Sequence, residues 1–149
     1  MEKMKYILGL GSNLGNKTQN LNEAIFQLGQ KVGIVQEVSS FHKSKPHGFS
    51  SENNFLNCCL LIESQLKPVK LLRVIKNIEK HMGRQYVREG YEDRIIDIDI
   101  ILSENKFSSK MLNIPHKNYL ERDFVLFPLS EISEFQDINT FIKVSQLLK

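Results

Sequence analysis

The sequence predicts an α+β fold, and three observations support this prediction. Four segments rich in apolar and β-branched residues have the length of β-strands, and they cover residues 5–10, 34–43, 55–63 and 94–102. Two segments place apolar residues at helical spacing, one at residues 18–30 and one that begins at Pro68 and ends before Gly83. The resulting βαββαβ order, followed by a C-terminal annex, is that of a ferredoxin-like sandwich whose helices cover one sheet face.

The composition is that of an ordinary globular protein, so residues 1–149 are predicted to form a single domain. Hydrophobic residues make up 41% of the 149 positions and charged residues 25%. The net charge of +3 is too small to indicate a nucleic-acid-binding surface. No apolar stretch reaches the length of a membrane span, and the first residues lack the pattern of a signal peptide. We therefore expect a cytoplasmic, monomeric protein with no nucleic-acid or membrane partner and no second enzyme fused to it.

The two cysteines, Cys58 and Cys59, are adjacent within one predicted strand. Neighbouring strand residues point to opposite faces of a sheet, so these side chains cannot link distant segments to each other. We expect free thiols in a reducing compartment. The four histidines are scattered, and their spacing does not indicate a zinc site.

The first predicted strand ends in a glycine-containing turn into a helix, Gly9-Leu10-Gly11-Ser12-Asn13-Leu14-Gly15-Asn16. This turn lacks the Lys-Ser/Thr ending of a phosphate-binding P-loop. Two interpretations remain open. The turn is either a plain connection to the first helix, or its glycines bring the backbone and the Asn13 amide close to a ligand.

Each predicted helix carries one apolar stripe. The stripe residues are Leu21, Ala24, Ile25 and Leu28 in the first helix and Leu71, Leu72, Ile75, Ile78 and Met82 in the second. Glu79 borders the second stripe near the helix C-terminus, where the helix dipole disfavours a negative charge. We therefore expect Glu79 to have a basic partner or a ligand, the alternative being a solvated side chain.

Residues 44–54 form a polar segment with Pro, Gly and Ser that is longer than a hairpin needs. It is either a cover for a site or a tolerated insertion. Phe55 and Asn57 follow on one face of the next strand. An aromatic ring beside an amide can stack on a flat heterocycle and bind its edge, although such pairs also occur as core residues with a satisfied polar group.

Residues 84–93 form a second irregular segment, which brings Arg84, Arg88 and Tyr91 close to the last predicted strand. Guanidinium groups bind phosphate oxygens in a bidentate manner, so this segment is suited to a polyphosphate. Arg94 lies by alternation on the face opposite Asp97. It therefore reaches such a site only if the strand begins there and the backbone still bends.

The strand predicted at residues 94–102 carries two carboxylates, Asp97 and Asp99, on one face, whereas Ile96, Ile98, Ile100 and Leu102 are predicted on the other. Like charges about 6–7 Å apart along a strand repel each other in a low-dielectric environment. Carboxylate oxygens with room for water and phosphate oxygens suit Mg²⁺. A solvated face whose aspartates pair with lysines is the alternative, and the flanking isoleucines favour the metal site.

The remainder of the chain is predicted to form short elements. Residues 103–110 are a polar connection or a small hairpin, and residues 113–117 form a turn that presents His116 and Lys117. Residues 120–129 are expected to form a short helix or turn that ends at Pro128. Residues 141–148 have the apolar spacing of an amphipathic helix.

Taken together in this order, these segments resemble the 6-hydroxymethyl-7,8-dihydropterin pyrophosphokinase family of folate biosynthesis, and the resemblance spans nearly the whole chain. The matching pieces are Gly11-Ser12-Asn13-Leu14-Gly15, Ser39-Ser40-Phe41, Phe55-Leu56-Asn57, Glu79 with Gly83-Arg84, Arg94-x-x-Asp97-Ile98-Asp99-Ile100, Pro115-His116 and Arg122-x-Phe124. Each piece is a weak signal alone, and their spacing makes the set specific.

The resemblance implies transfer of the β,γ-pyrophosphoryl group of ATP to the hydroxymethyl oxygen of the pterin, with release of AMP. It also implies that Asp97 and Asp99 bind two Mg²⁺ ions and that Arg84 and Arg94 hold the phosphates. The implied ATP-binding residues are Ile100, Leu112, Asn113, His116, Lys117 and Arg122. The implied pterin-binding residues are Asn13, Ser44, Lys45, Pro46, Phe55, Asn57, Tyr91 and Phe124, with Phe55 and Phe124 on either side of the ring.

The sequence departs from the family pattern at several of these positions. The family usually has tryptophan at the position of Tyr91 and small residues such as Gly-Pro at the positions of Glu92 and Asp93. Two additional carboxylates near phosphates should weaken ATP binding unless they point to solvent. Phe55 replaces a usual tyrosine and Met111 replaces a usual arginine. These differences bear on loop behaviour and affinity rather than on the reaction.

Two other functions are compatible with parts of the pattern. An Asp-x-Asp pair also occurs in glycosyltransferases that hold a nucleotide diphosphate, but this chain is short for that class and has no dinucleotide-binding fingerprint. Ferredoxin-like sheets also bind RNA by stacking bases on aromatic residues. Here the exposed sheet face carries paired aspartates, which would repel phosphates in the absence of a cation.

Overall fold

The computed structural model describes residues 2–46, 51–85, 93–117 and 119–132. Within these ranges the elements are β1 (Met4–Ser12), α1 (Lys17–Lys31), β2 (Gly33–Val38), β3 (His42–Ser44), β4 (Phe55–Ser64), α2 (Pro68–His81), β5 (Asp97–Ser103), β6 (Phe107–Ser108), β7 (Asn113–Ile114), a 3₁₀ turn (Tyr119–Glu121) and α3 (Asp123–Leu129). The described residues thus form an α+β fold with an antiparallel main sheet and three α-helices.

The main sheet has the strand order β2-β4-β1-β5, and β3 extends it by pairing with β4. All of the strand pairs in this sheet are antiparallel. β1 and β4 are central, and accordingly Ile7, Leu8, Leu60 and Ile62 are almost fully buried. β6 and β7 form a separate hairpin, whose first strand lies in the predicted connection at residues 103–110 and whose second strand lies at the start of the turn predicted at residues 113–117. None of the helices in the described ranges combines the length and apolarity needed to cross a membrane.

The main hydrophobic core lies between the sheet and the two long helices. The predicted stripe residues Leu21 and Leu28 of α1 and Leu71, Ile75 and Ile78 of α2 have no exposed surface. The Asn16 side chain accepts a hydrogen bond from the Gln19 backbone N–H and so caps α1, while Pro68 occupies the first turn of α2. Both helices therefore begin where the sequence predicted, within one residue.

The opposite sheet face also carries a helix, which corrects the prediction that this face is free of helices. α3 packs against it, and Val125, Leu126 and Leu129 join Ile7, Cys59, Leu61 and Ile101 in a second hydrophobic cluster. Pro128 lies inside α3 rather than ending it. Cys58 lies in the main core and Cys59 in the second cluster, so the predicted opposite orientation of the two free thiols is confirmed.

The prediction of a single strand at residues 34–43 is wrong, because the structure has two strands there, β2 and β3. Ser39 lies between β2 and β3 and is hydrogen-bonded to Cys59 of β4. Its backbone N–H donates to the Cys59 carbonyl oxygen at 2.9 Å, and its hydroxyl oxygen accepts from the Cys59 N–H at 2.9 Å. A side-chain acceptor thus replaces a backbone carbonyl, and the chain can leave the regular strand path without an unpaired donor.

The strand predicted at residues 94–102 begins at Asp97 instead of Arg94 and ends at Ser103. A β-bulge interrupts its pairing with β1, since Leu8 pairs with Ile100 whereas Ile7 pairs with Leu102. The extra residue, Ile101, reverses the alternation, and Leu102 therefore lies in the second cluster instead of beside Ile96, Ile98 and Ile100. The helix predicted at residues 141–148 lies outside the described residues.

Candidate active site

One pocket opens on the sheet face that carries α3, at the ends of the central strands. It is lined by Gly9, Leu10, Gly11, Ser44, Lys45, Phe55, Asn57, Cys58, Cys59, Arg94, Asp97, Asp99, Ile101, Arg122, Phe124 and Val125. Burial raises the pKa of the Cys58 thiol to about 12, and burial likewise raises that of Cys59. Neither thiol is therefore suited to act as a nucleophile at neutral pH.

Two glycines of β1 form the floor of this pocket. Gly11 pairs with Asp97 on one side and with Asn57 on the other, and Gly9 pairs with Asp99 and Cys59. A Cβ at Gly11 would lie 3.0 Å from Asn57 Oδ1 and 3.4 Å from Phe55 Cδ1. The missing side chains thus leave open the space between the aspartates and the Phe55–Asn57 pair. The sequence placed both glycines in a turn and left open whether they approach a ligand, whereas the structure places them inside β1, at the pocket.

Asp97 and Asp99 both line the pocket, and their predicted common orientation is confirmed. The Arg84 Nη1 group donates to Asp97 Oδ1 at 2.8 Å, and Arg94 Nη1 lies 3.6 Å from Asp97 Oδ2. Burial, and then the negative charges of Asp97 and Glu79, raise the pKa of the Asp99 carboxyl to about 7. One strand therefore holds two carboxylates whose joint ionisation is unfavourable without a cation.

These carboxylates fit a hard divalent cation. Oxygen ligands that leave several coordination positions to water and phosphate are the usual environment of Mg²⁺. Among the residues that the structure describes, no group of three or more His, Cys, Asp or Glu side chains is arranged to hold a metal ion. A cation at Asp97 and Asp99 would consequently take most of its remaining ligands from a substrate and from water.

Glu79 lies behind the pocket and connects α2 to β5. It is fully buried, and its Oε2 atom accepts hydrogen bonds of 2.8 Å from both the Arg84 side chain and the Ile98 backbone N–H. Lys76 Nζ lies 3.4 Å from its other oxygen. The prediction that Glu79 has a basic partner is confirmed. Because the same Arg84 nitrogen contacts Glu79 and Asp97, this pair of carboxylates fixes the position of the guanidinium.

Arg94 reaches the pocket because it precedes β5 and is not bound by strand alternation. Its guanidinium carbon lies 5.4 Å from the centre of the Phe55 ring, which places the cation over the aromatic face. Arg122 is arranged in the same way at 5.7 Å from the centre of the Phe124 ring. Each aromatic side chain of the pocket is thus accompanied by an arginine.

Asn57 is oriented by β3. Its Nδ2 group donates to Ser44 Oγ at 2.7 Å and to the His42 carbonyl oxygen at 3.2 Å. Both amide hydrogens are therefore used within the protein, and the carbonyl oxygen lies above Gly11 at the floor. Ser44 and Lys45 line the pocket beside it, whereas Pro46 is not among the lining residues.

Arg122 lines the pocket beside Phe124, whereas His116 and Lys117 are not among the lining residues. The His116 backbone N–H donates to the Ile101 carbonyl oxygen at 2.8 Å, which fixes the turn against β5. Burial, and then the Arg122 charge, lower the pKa of the His116 imidazole, so the ring is neutral at pH 7. Within the described ranges, His116 Nδ1 and Arg122 Nε are buried without a hydrogen-bond partner. Lys117, the residue after His116, is exposed.

Asn13 does not line the pocket, in contrast to the interpretation that its amide approaches a ligand. Its Nδ2 group donates to Asp93 Oδ1 at 2.8 Å and to the Asn53 carbonyl oxygen at 3.3 Å. Its Oδ1 atom accepts from the Arg94 backbone N–H at 2.6 Å. Asn13 is 2% exposed and contacts neighbouring segments of the chain with both ends of its amide.

The residues expected to border adenine are also outside this pocket. Ile100 is 3% exposed and its side chain lies in the main core, with Leu112 packed against the same cluster. Asn113 lies in β7, and its Oδ1 atom accepts a hydrogen bond from Ser108 Oγ at 2.8 Å. Tyr91 and Arg88 lie outside the described residues.

A comparison with known families identifies the chain. Residues 7–134 match the sequence model described as 7,8-dihydro-6-hydroxymethylpterin-pyrophosphokinase, abbreviated HPPK. The chain belongs to the HPPK family. The match includes every pocket residue and every residue that the resemblance singled out.

Individual members of the HPPK family are similar over most of their length. A Porphyromonas gingivalis protein named 2-amino-4-hydroxy-6-hydroxymethyldihydropteridine pyrophosphokinase is 40% identical over 130 residues, which are 85% of this chain and 88% of that protein. Proteins of the same name from Aquifex aeolicus and Bacillus subtilis are 40% and 36% identical. These alignments cover 84% and 90% of this chain and 78% and 80% of the two relatives.

Solved structures that contain an HPPK part have the same fold. The Plasmodium falciparum HPPK-DHPS protein, crystallised with SDX-DHP, superimposes with a TM-score of 0.75 at 16% sequence identity. The alignment covers 98% of this chain and only 44% of that longer chain. At this identity the likeness concerns the fold alone.

Proposed function

We propose that this chain transfers the β,γ-pyrophosphoryl group of ATP to the 6-hydroxymethyl oxygen of 7,8-dihydropterin and releases AMP, a step of folate biosynthesis. The observation that carries the proposal is the pocket itself. It combines two aromatic rings and an amide, which suit a flat heterocycle, with two aspartates and two arginines, which suit a polyphosphate. The family match over residues 7–134 supports the same reaction.

The pterin ring binds between Phe55 and Phe124, on the open side of the glycine floor. The Asn57 carbonyl oxygen, whose amide hydrogens are bonded to Ser44 and His42, then accepts a hydrogen bond from a ring N–H or amino group. Lys45 and Pro46 adjoin Ser44 and contribute to the edge of the ring site. Tyr91 belongs to this proposal on the strength of the family resemblance alone.

Mg²⁺ bound by Asp97 and Asp99, in a proposed number of two ions, would offset the phosphate charge and orient the attacking hydroxyl group. The raised pKa of Asp99 supports this assignment, because a carboxyl held near its ionisation point by a neighbouring negative charge is stabilised by an added cation. Arg84, which the family resemblance assigns to the phosphates, is not among the lining residues, and its ion pairs with Glu79 and Asp97 would keep the Asp97 carboxylate in place.

The remaining basic residues bind the phosphates of ATP. Arg94 lies between Asp97 and the Phe55 ring, at the junction of the proposed phosphate and pterin sites. Arg122 and His116 present buried nitrogens, and Lys117 is an exposed ammonium in the same turn. Leu112 and Asn113 would border the adenine, and Ile100 would do so through its backbone because its side chain is in the core.

The strand order supports a ferredoxin-like arrangement. If β2 and β3 are taken as one strand, the chain order is βαββαβ, and the two neighbours of β1 in the sheet are the third and fourth of the four strands. Residues 107–132 then form the C-terminal annex. A cytoplasmic monomer completes the proposal, and the two free, buried cysteines suit a reducing compartment.

The test is incubation with ATP, Mg²⁺ and 6-hydroxymethyl-7,8-dihydropterin, followed by separation of AMP from ADP. We expect AMP in amounts equal to the pterin diphosphate. Asp97→Ala and Asp99→Ala should each nearly abolish turnover while circular dichroism shows a native fold. Glu23→Ala, which removes a carboxylate from the far side of α1, is the control and should retain activity. Formation of ADP, or full activity of both aspartate variants, would contradict the proposal.

A further inference from the structure

A polar cluster beside the pocket joins three segments of the chain, and we name it the Asp93 cluster. It consists of Asn13 after β1, Ser51 and Asn53 before β4, and Asp93 and Arg94 before β5. Asn13 Nδ2 donates to Asp93 Oδ1 at 2.8 Å, and Asn53 Nδ2 donates to Asp93 Oδ2 at 2.8 Å. Each oxygen of one carboxylate thus binds a different segment.

The cluster also fixes the backbone of Arg94 in both directions. Its N–H donates to Asn13 Oδ1 at 2.6 Å, and its carbonyl oxygen accepts from the Asn13 backbone N–H at 3.0 Å. The orientation of the Asn13 amide, with oxygen towards Arg94, requires an acceptor for its Nδ2 group. Asp93 supplies that acceptor together with the Asn53 carbonyl oxygen.

The charge of Asp93 is stabilised by the cluster. The hydrogen bond from Ser51, together with those from Asn53 and Asn13 and the nearby Arg94 charge, holds the pKa of the Asp93 carboxyl below its usual value despite the opposing effect of burial. The carboxylate therefore stays ionised at neutral pH. It is not among the pocket-lining residues, so the expected repulsion of phosphates by Asp93 is not supported by its position.

We propose that Asp93 is a positioning residue, which holds Arg94 over the Phe55 ring and beside Asp97 by joining the Asn53 segment to the Asn13 turn. This inference rests on the proposed function, because it assigns Asp93 a part in placing a phosphate-binding side chain. Asn53 lies two residues before Phe55, so the Asp93 cluster fixes the position of the start of β4 relative to the Arg94 backbone. A residue without a side-chain acceptor at position 93 cannot make these bonds.

The first measurement breaks the cluster in two ways. Asp93→Ala removes both acceptor oxygens, and Asn53→Asp places two carboxylates face to face. We expect each variant to lower kcat about tenfold, since a hydrogen bond to a charged group is worth about this factor. The affinity for a non-hydrolysable ATP analogue should change by less than about twofold, because no phosphate contact is removed. Glu52→Gln, which neutralises an exposed carboxylate in the same segment, should match the unaltered protein.

The second measurement repairs the cluster. In the double variant Asn53→Asp/Asp93→Asn the amide and the carboxylate exchange places, the net charge is that of the unaltered protein, and both donor–acceptor pairs can form again. We expect kcat to return to within about threefold of the unaltered value. Hydrogen exchange of the Arg94 backbone amide, followed by NMR, should accelerate in the two broken variants and slow again in the repaired one.

The outcomes separate this inference from the proposed function. If the unaltered protein forms no AMP, the proposed function fails, and the hydrogen-exchange measurement still tests whether the Asp93 cluster holds the Arg94 backbone. Unchanged Arg94 exchange in Asp93→Ala overturns the inference whatever the activity. If the Arg94 hydrogen exchange changes in the broken variants but kcat does not, the positioning role is overturned, because the Asp93 cluster would then be purely structural.

Discussion

Asp97 and Asp99 have different surroundings although they are two positions apart on one strand. Asp97 is bonded to Arg84 and lies close to Arg94, whereas the Asp99 carboxyl is shifted upwards in pKa by burial and by the negative charges around it. In the folded protein without a cation, the ionised form of Asp99 is therefore costly at neutral pH.

Asp99→Asn is expected to stabilise the metal-free protein. The folded-state pKa of about 7 exceeds the usual aspartate pKa of 3.8, so the folded state binds the proton more tightly and loses stability as the pH rises from about 4 to about 7. The substitution removes this cost and should raise the free energy of unfolding by roughly 1–3 kcal/mol at pH 8. Urea denaturation in EDTA at pH 4 and pH 8 measures it. Equal stability of the two proteins at pH 8 would contradict the expectation.

Arg94→Ala is expected to slow the chemical step more than it weakens ATP binding. Loss of a donor that stabilises developing charge costs about 100-fold in kcat, whereas several other basic residues still hold the triphosphate. Single-turnover kinetics and ATP-analogue titration separate the two effects. Arg73→Ala, an exposed arginine on α2, serves as the control. An unchanged turnover number would refute the role given to Arg94.

Side-chain alternation was sufficient to predict the common orientation of Asp97 and Asp99, and a dipole argument predicted a basic partner for Glu79. The glycine floor and the contacts of Asn13 could not be predicted in this way. Gly9 and Gly11 matter because of what lies beside them on β4 and β5, and that pairing register has no local sequence signal. The Asn13 amide bonds residues 40 and 80 positions away.

Among the elements, α3 covers the sheet face that was predicted to be free of helices. Its seven residues are too few to show helical periodicity, and the internal Pro128 suggested an ending. The break between β2 and β3 and the bulge in β5 escaped prediction for a related reason. Each depends on a hydrogen bond or a register shift against a partner strand, whereas strand propensity along the chain continues without interruption.

Leu129→Ala tests the contribution of α3 to the second cluster. Leu129 has no exposed surface, so its truncation should lower the free energy of unfolding by about 2–4 kcal/mol. Phe127→Ala on the same helix is the control, because Phe127 is 50% exposed, and its effect should stay below about 1 kcal/mol. Similar losses for the two variants in urea denaturation would show that α3 does not pack as described.

In the molecule as a whole, the pocket and the helical core are coupled through one buried charge. Glu79 belongs to the α2 face of the sheet, yet its carboxylate bonds the Ile98 backbone and the Arg84 side chain that contacts Asp97. The α+β class and the places of the two long helices followed from hydrophobic patterning, because long periodic segments carry enough information for them. The hydrogen bond from the Ile98 backbone to Glu79 could not be predicted from this patterning, since the two residues are 19 positions apart.

Glu79→Gln is expected to destabilise the protein and to affect Asp99. Loss of the buried anion leaves Arg84 with a weaker partner, which should cost about 2–4 kcal/mol of unfolding free energy. The pKa of Asp99 should fall at the same time, because one of the charges that raise it is removed. Chemical denaturation measures the first effect and NMR titration the second. Lys76→Gln, at a half-exposed partner of Glu79, should change stability by less than about 0.5 kcal/mol.

The bulge at Ile101 also determines where β5 tolerates insertions and deletions. Ile100 pairs with Leu8 and Leu102 with Ile7, so removal of the intervening residue would restore regular pairing and leave both aspartates facing the pocket. Loss or gain of one residue between Asp97 and Asp99 would instead turn one carboxylate towards the helices. Length variation within this strand is therefore expected to be confined to the position of Ile101.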